Sequence, residues 1–133
     1  MKNVFSIGDH KIIRHTVVEA DLAAFETGVV HPFYATFALG RDAEWACRQF
    51  VLEMLEDDEE GIGTFLNITH RSPAMLGDTV DITAEIIRLD GNAIDCSFAV
   101  KVGDRMVADG TQGQKILKKE KVQRLISNLS HGG

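Results

Sequence analysis

The stretch TFALGRDAEWACRQFVLEMLE, residues 36–56, decides the fold of this chain. Its apolar residues recur in steps of four and three, which predicts one face of a long helix. These residues are Leu39, Ala43, Ala46, Phe50 and Met54. Because Trp45, Leu52 and Leu55 widen the apolar face, we expect the helix to be almost enclosed. Glu44 lies within this surface, and burying a carboxylate is costly unless it is hydrogen-bonded, paired or protonated. Glu44 is therefore the first candidate functional residue.

The length of 133 residues predicts a single domain over residues 1–133 with one hydrophobic core. The net charge of −6, from 14 basic and 20 acidic residues, argues against nucleic acid or an anionic membrane as the main partner. A small molecule or a protein is the expected partner.

The chain has two cysteines, Cys47 in the helix pattern and Cys96 in a strand pattern. Two cysteines are too few for a disulfide framework, and their spacing does not match a metal site, so we expect buried thiols in a reducing compartment. The N-terminal segment lacks the apolar run of a signal peptide, and no stretch reaches transmembrane length. These features predict a cytoplasmic protein.

Before the long helix, Lys11 to Val18 is rich in β-branched residues and predicts a strand. Glu19 to Thr27 resembles a short helix closed by Gly28. Val29 to Tyr34 is interpreted as a loop, because Pro32 opposes regular structure in the residues before it. After the long helix, the acidic run from Glu56 to Glu60 is interpreted as a solvated loop, since acids at a helix C-terminus oppose its dipole.

Four further strand patterns follow the long helix, and with the first strand they make five. Their alternation of apolar and polar residues is typical of an antiparallel sheet with one buried face. Turns are expected at residues 90–92 and 103–105. Gly110 and Gly113 are expected to mark bulges or points of close backbone approach. The tail from Lys118 to Leu129 is expected to be polar and partly helical. The strands are Ile62 to Arg71, Thr79 to Leu89, Ala93 to Val102 and Met106 to Leu117.

One long helix followed by a meander of hairpins predicts an α+β fold, in which a curved antiparallel five-stranded sheet closes around the helix. An open sheet leaves two edges. Because an edge strand with an apolar face, such as Ile62 to Arg71, is an aggregation hazard, we expect it to pair with a second copy in a two-fold dimer.

Three residues in this framework suit acid–base or nucleophilic chemistry, although each also has a structural explanation. Glu44 precedes Arg48 by four residues, the favoured order for a helical ion pair. His70 is a candidate core histidine at a strand end, and Thr36 is a candidate helix cap. His31 could line a pocket, whereas the remaining histidines are expected at the surface, at an edge or in the tail: His10, His15 and His131.

The combination of these residues is more specific than any one of them. AT at residues 35–36, AEWAC beginning at residue 43, IGT at 62–64 and ITHRSPAMLGDTV from residue 68 together resemble the hotdog-fold thioesterases of the fluoroacetyl-CoA thioesterase type. The resemblance implies a dimeric hotdog fold that hydrolyses acyl-CoA thioesters. It also implies that Thr36, Glu44 and His70 form the catalytic group and that the backbone of Gly63 approaches the thioester carbonyl.

The resemblance leaves the roles of these residues open. In one interpretation His70 is the general base, Glu44 orients it, and Thr36 is the nucleophile or positions water; in the other, Glu44 attacks the thioester or activates water directly. The Gly63 N–H would hold the oxyanion. Arg71 is a candidate contact for a CoA phosphate. No metal or redox cofactor is expected.

The distance along a helix creates a difficulty for Thr36 and Glu44. At 1.5 Å per residue a continuous helix would separate them by about 12 Å. We therefore predict that the helix begins between Leu39 and Arg41, with a break at Gly40, so that Thr36 lies in a loop that folds back or reaches the partner subunit.

The expected function is hydrolysis of a small acyl-CoA thioester. Specificity for fluoroacetyl-CoA does not follow, because the segment TGVVHP at residues 27–32, where a lid would lie, lacks aromatic residues. The main alternative is a hotdog module that binds acyl-CoA or another apolar ligand without turnover. A hydratase of the same fold is disfavoured by Thr36 and by the missing aspartate-centred motif.

Overall fold

A five-stranded antiparallel sheet packs against a long helix, as the sequence predicts. The computed structural model describes residues 1–25 and 28–132. The strand order in this sheet is β1-β5-β6-β7-β4, and β2 and β3 form a separate two-stranded sheet. In chain order the elements are β1 (His10–Thr16), a 3-10 helix (Glu19–Asp21), β2 (Leu22–Phe25), β3 (Gly28–Tyr34), α1 (Thr36–Met54), β4 (Glu59–His70), β5 (Thr79–Asp90), β6 (Ala93–Val102), β7 (Arg105–Lys118) and α2 (Lys119–Gly132).

The central meander β5-β6-β7 follows the predicted alternation. Hairpin turns occur where they are predicted, and Gly91 (φ 59°) and Gly103 (φ 58°) adopt the left-handed conformation that favours glycine. Every second residue from Val80 to Ile86 in β5 and from Ile94 to Val100 in β6 is buried and forms one wall of the core. These residues are Val80, Ile82, Ala84, Ile86, Ile94, Cys96, Phe98 and Val100.

The helix α1 forms the other wall of the core through the five residues predicted from their spacing, Leu39, Ala43, Ala46, Phe50 and Met54, all of which are buried. The prediction of an almost enclosed helix is wrong, since the sheet covers only one face of α1. Trp45 is 51% exposed and Leu52 is 42% exposed on the uncovered side.

The predicted start of the helix is also wrong, because α1 runs without a break from Thr36. The Ala35 N–H donates to the Asp21 carbonyl (2.8 Å), and the Ala35 carbonyl accepts from the Leu39 N–H (2.9 Å), so the first turn is anchored at Ala35. Gly40 does not break the helix. A Cβ there would lie 3.1 Å from Leu66 Cδ2, so Gly40 allows α1 to approach β4 closely.

The segment before α1 differs most from its prediction. Of the described residues in the predicted helix, Glu19–Asp21 are helical and Leu22–Phe25 form β2, and the predicted loop at residues 29–34 lies in β3. Pro32 is accommodated because the β2–β3 register shifts beside it and leaves it without a ladder partner. Glu26 and Thr27 lie outside the described residues, as do the side chains at residues 24–30, which include part of the expected lid segment.

The acidic run is only partly a loop, since Glu59 is buried and begins β4. Its carboxylate lies 2.8 Å from the Met1 amino group, and this hydrogen bond lowers the pKa of Glu59. As predicted, β4 is an edge strand with an apolar surface. Among the described residues it pairs with β7 alone, and Phe65 and Leu66 are each 41% exposed.

The two glycines of β7 are points of close approach, as predicted. A Cβ on Gly110 would lie 1.9 Å from the Asn67 carbonyl oxygen, and one on Gly113 would lie 2.2 Å from the Phe65 ring. Cys47 and Cys96 are buried free thiols. The neighbouring Cys96 thiol, together with burial, raises the pKa of Cys47. Within residues 1–25 and 28–132, neither helix has the length and apolar character to span a membrane.

Candidate active site

Thr36 and His70 form a direct contact where α1 begins and β4 ends. The Thr36 Oγ1 and His70 Nδ1 atoms are 3.1 Å apart. Thr36 does not cap its own helix, because the N-cap position is Ala35 and no side chain caps it. The other ring nitrogen of His70, Nε2, is buried without a hydrogen-bond partner among the described residues. A hydroxyl paired with an imidazole in this way can give up its proton, which is the first requirement of an activated nucleophile.

Glu44 lies two turns further along α1, in a separate group of contacts. Its Oε1 accepts a hydrogen bond from Gln112 Nε2 (3.3 Å) on β7. A Cβ on Gly63 would lie only 2.4 Å from the same oxygen. The predicted Glu44–Arg48 pair does not form; instead Arg48 Nη1 donates to the Gly61 carbonyl (3.1 Å). Glycine at position 63 therefore makes room for the Glu44 carboxylate.

Both groups of contacts adjoin one cavity of about 1120 Å³. Thr36, Glu44 and His70 line it, and so does Arg71. Gly63 is not part of its wall in the single chain. The apolar part of the lining comes from aromatic and aliphatic side chains on β3, α1 and β4, namely Phe33, Phe37, Leu66 and Ile68. An apolar cavity with a few convergent polar groups is the usual form of a small-molecule site.

Two of the lining residues interact with other side chains. His31 lines the pocket, as the sequence suggested, and its ring packs against the Phe33 ring with the centroids 4.9 Å apart and the planes tilted by 38°. Arg71 donates through Nε to Asp109 Oδ2 (2.9 Å), and this hydrogen bond raises the pKa of Arg71. Arg71 is thus a fixed positive charge at the rim of the cavity.

A network of charged side chains that sequence reasoning missed anchors the start of α1. Asp21 accepts hydrogen bonds from His15 Nε2 (2.6 Å) and Arg41 Nη2 (2.8 Å). Arg41 also donates through Nε to Asp42 Oδ1 (3.0 Å), and the Tyr34 hydroxyl donates to the Asp42 carboxylate. His15 was expected at the surface or at an edge, and it lies on the edge strand β1. Its partners are separated from it in sequence, so no spacing rule could have found this network.

The pKa shifts of Asp21 and Tyr34 determine which of these two groups carries a proton. Burial raises the pKa of Asp21, but hydrogen bonds from the Val18 N–H, Arg41 and His15 outweigh burial and hold that pKa below its ordinary value. Burial, and then the bond to Asp42, raises the pKa of the Tyr34 hydroxyl, which therefore stays protonated and donates. His15, Asp21 and Asp42 place potential metal ligands within 4.8 Å of one another. Because Arg41 and Tyr34 already donate to these carboxylates, the group acts as an ion-pair network.

The continuous helix divides the sequence-predicted residues into two pairs. Thr36 contacts His70, and Glu44 contacts Gly63. Eight residues of helix separate Thr36 from Glu44, which is about 12 Å along the axis. Within one chain, then, the Glu44 carboxylate does not directly contact the Thr36 hydroxyl, although both adjoin the same cavity.

Comparisons with known proteins agree with the fold and with the enzyme family that the sequence resembles. A family model described as "Fluoroacetyl-CoA-specific thioesterase" matches residues 17–120. The fluoroacetyl-CoA thioesterase of Streptantibioticus cattleyicolor is 27% identical over 130 residues, which span 97% of this chain and 90% of that protein.

Two solved structures share the architecture. A Thermus thermophilus hypothetical protein described as a thioesterase superfamily member superposes with a TM-score of 0.90 at 29% identity, covering 96% of this chain and 95% of that chain. A hot-dog-like protein from Thermanaerovibrio acidaminovorans superposes with a TM-score of 0.87 at 20% identity, covering 97% and 95% of the two chains. The fold is therefore the predicted hotdog fold.

Proposed function

This chain belongs to the fluoroacetyl-CoA-specific thioesterase family, and we propose that it hydrolyses a small acyl-CoA thioester to a carboxylic acid and CoA with Thr36, Glu44 and His70 as its catalytic group. The observation that carries the proposal is the 3.1 Å contact between Thr36 Oγ1 and His70 Nδ1 at the wall of a largely apolar cavity. The fluoroacetyl-CoA thioesterase that matches nearly the whole chain supports the substrate class.

In the proposed reaction His70 Nδ1 accepts the Thr36 hydroxyl proton while Thr36 Oγ1 bonds to the thioester carbonyl carbon. The carbon–sulfur bond then breaks, its electron pair goes to sulfur, and the thiolate takes the proton from His70. Water hydrolyses the acyl-threonine ester by the same route: His70 takes a proton from water and returns it to Thr36 Oγ1. In each step the proton passes through His70 Nδ1, which lies 3.1 Å from Thr36 Oγ1.

A second copy of the chain supplies Glu44 in this proposal. The outer edge of β4 has no strand beside it among the described residues, and it exposes Phe65 and Leu66. An antiparallel pair about a two-fold axis through Asn67 would, with the extra residue at the register shift between Gly63 and Phe65, set Gly63 of one copy opposite His70 of the other. Because Glu44 lies against Gly63, the Glu44 carboxylate of one copy would face the Thr36–His70 pair of the other and stabilise its imidazolium.

The same arrangement accounts for the two predicted substrate-binding residues. The sheet register shifts immediately after Gly63, which disturbs the ladder there and suits its N–H to a developing oxyanion. Arg71 contacts Asp109 through Nε, so its terminal Nη groups are the donors that we assign to a CoA phosphate.

A thiol-release screen over acyl-CoA esters of increasing chain length tests the function. We expect turnover of short esters, and at least about a hundredfold loss of kcat/KM in His70→Ala. Saturable binding of CoA esters without thiol release would instead identify the non-catalytic binding module. Light scattering that shows a monomer at micromolar concentration would contradict the shared site.

A further inference from the structure

Two glutamines are buried behind Glu44 on the inner face of β7. Gln112 is 1% exposed and Gln114 is 2% exposed. They are two residues apart on one strand, so their side chains share a face of the sheet. A buried amide destabilises the fold unless it is hydrogen-bonded, so two adjacent buried amides behind a carboxylate call for a specific explanation.

The two amides form a directed chain of hydrogen bonds that ends on Glu44. Gln114 Nε2 donates to Gln112 Oε1 (3.1 Å), and Gln112 Nε2 donates to Glu44 Oε1 (3.3 Å). An amide that accepts at its oxygen presents its N–H groups at the other end. As long as Gln114 donates to it, Gln112 therefore offers an N–H donor to Glu44 Oε1.

The direction of this chain is set at its far end, near Arg48. A Cβ on Gly61 would lie 3.3 Å from Arg48 Nη1 and 3.5 Å from Gln114 Oε1, so the guanidinium and the amide oxygen lie on the same side of Gly61. Gln114 Oε1 has no hydrogen-bond partner among the described residues. If the Gln114 amide were flipped, its NH2 group would lie near the Arg48 guanidinium in place of its oxygen. The unflipped orientation is favoured, because the partial negative charge of the oxygen is attracted to the cation.

We propose that Gln112 is a positioning residue for Glu44, and that Gln114 and Arg48 fix the direction in which the Gln112 amide donates. The proposal rests on the catalytic role proposed above for Glu44. Oε1 is held between Gln112 and the α-carbon of Gly63, which leaves Oε2 as the oxygen available to the reaction centre. The sequence gives no direct sign of this role, since Gln112 and Glu44 are 68 residues apart.

Kinetics of three variants test the proposal. Gln112→Met keeps the volume of the side chain but removes the donor, so kcat should fall by about ten- to a hundredfold with KM nearly unchanged. Gln112→Glu replaces the donor with a second carboxyl and should lower kcat at least as much, and Gln114→Met should act in the same direction but more weakly.

Gln49→Met is the matched control. Gln49 is only half-buried, and its amide donates to the Trp45 carbonyl of its own helix (3.1 Å), away from Glu44. We expect wild-type kcat and KM for this variant. A kcat within about twofold of wild type in a folded Gln112→Met protein would overturn the proposal.

Side-chain amide resonances give a test that does not depend on turnover. In a 15N-labelled protein the NH2 signals of Gln112 and Gln114 are assigned by their loss in the two methionine variants. We expect Glu44→Leu to shift the Gln112 signals strongly, the Gln114 signals less, and the Gln49 signals not at all. If the wild-type protein releases no thiol from any ester but these shifts appear, the proposed function fails and the hydrogen-bond chain from Gln114 to Glu44 stands. Unshifted Gln112 signals would refute this hydrogen-bond chain itself.

Discussion

The carboxylate of Glu44 lies against the α-carbon of Gly63: a Cβ at position 63 would be 2.4 Å from Glu44 Oε1. Real Cβ atoms do not approach an oxygen so closely, so any side chain at position 63 must displace the carboxylate. The close approach explains why a half-buried acid on α1 and an exposed glycine on β4 occur together.

Gly63→Ala should therefore reduce kcat by at least about tenfold, because the added methyl moves Glu44 from its place. Steady-state thiol release measures the effect, and thermal unfolding checks that the variant folds. In the double variant Gly63→Ala, Glu44→Asp the acid is one methylene shorter, which makes room for the added methyl. We expect its loss of kcat to be smaller than the losses of the two single variants combined. Additive losses would show that the two residues act independently.

The hydroxyl of Thr36 is tested by variants that change little else. Thr36→Val removes the hydroxyl with almost no change of shape, and we expect at least about a hundredfold lower kcat, whereas Thr36→Ser should retain most of it. Thr69→Val is the matched control, since Thr69 is an exposed threonine on β4 next to His70. Mass spectrometry of the quenched reaction should detect an acyl group on Thr36. A missing acyl adduct during rapid turnover would favour the alternative in which Thr36 positions water.

Much of this arrangement could be predicted from short-range patterns. The spacing of Leu39, Phe50 and Met54 predicted the buried face of α1 because a helix repeats every 3.6 residues whatever surrounds it. The alternation in β5 and β6 predicted their buried faces for the same kind of reason. The resemblance at residues 35–77 selected Thr36, Glu44 and His70, and the structure brings all three to one cavity.

Long-range contacts explain what the sequence could not predict. The helix begins at Thr36 because the Ala35 N–H bonds to the Asp21 carbonyl, a contact between residues in different elements. Gly40 looked like a helix breaker, but close packing on Leu66 gives it another purpose. The strand β3 forms although it contains Pro32, because a register shift removes the need for an N–H there. None of these contacts leaves a periodic signal in the sequence.

Complementation between two inactive variants tests the shared site. In a mixed dimer of His70→Ala and Glu44→Gln chains, a site shared between copies has one intact combination, His70 from one chain and Glu44 from the other. Unfolding and refolding an equal mixture should then restore about a quarter of wild-type activity, since half the dimers are mixed and each has one intact site of two. A mixture of Thr36→Ala with His70→Ala chains is the control and should stay inactive, because these residues act from the same chain. Inactivity of the first mixture, with mixed dimers shown by native mass spectrometry, would place all three residues in one chain.

The charged network at the start of α1 should make an identifiable contribution to stability. Asp21 is 2% exposed and accepts from His15, Arg41 and the Val18 N–H. Asp21→Asn replaces a charged acceptor with a neutral amide and leaves these donors poorly matched. We therefore expect the free energy of unfolding at pH 7 to be about 2 kcal/mol lower than in wild type.

The pH dependence of this loss follows from the pKa of Asp21, which is lower in the folded protein than the ordinary value. The network therefore stabilises the fold fully above the pKa of Asp21 in the unfolded chain, about 3.9. This stabilisation is lost as the pH falls through the lower pKa that Asp21 has in the folded protein. Urea denaturation should therefore give a constant difference in the free energy of unfolding between wild type and Asp21→Asn from pH 7 to about pH 5, and a shrinking difference below about pH 4.

The matched control is Asp81→Asn, which removes the exposed Arg14–Asp81 pair on β5 and should change stability by less than about 0.5 kcal/mol. Equal effects of the two variants would show that the network contributes no more than an ordinary surface ion pair.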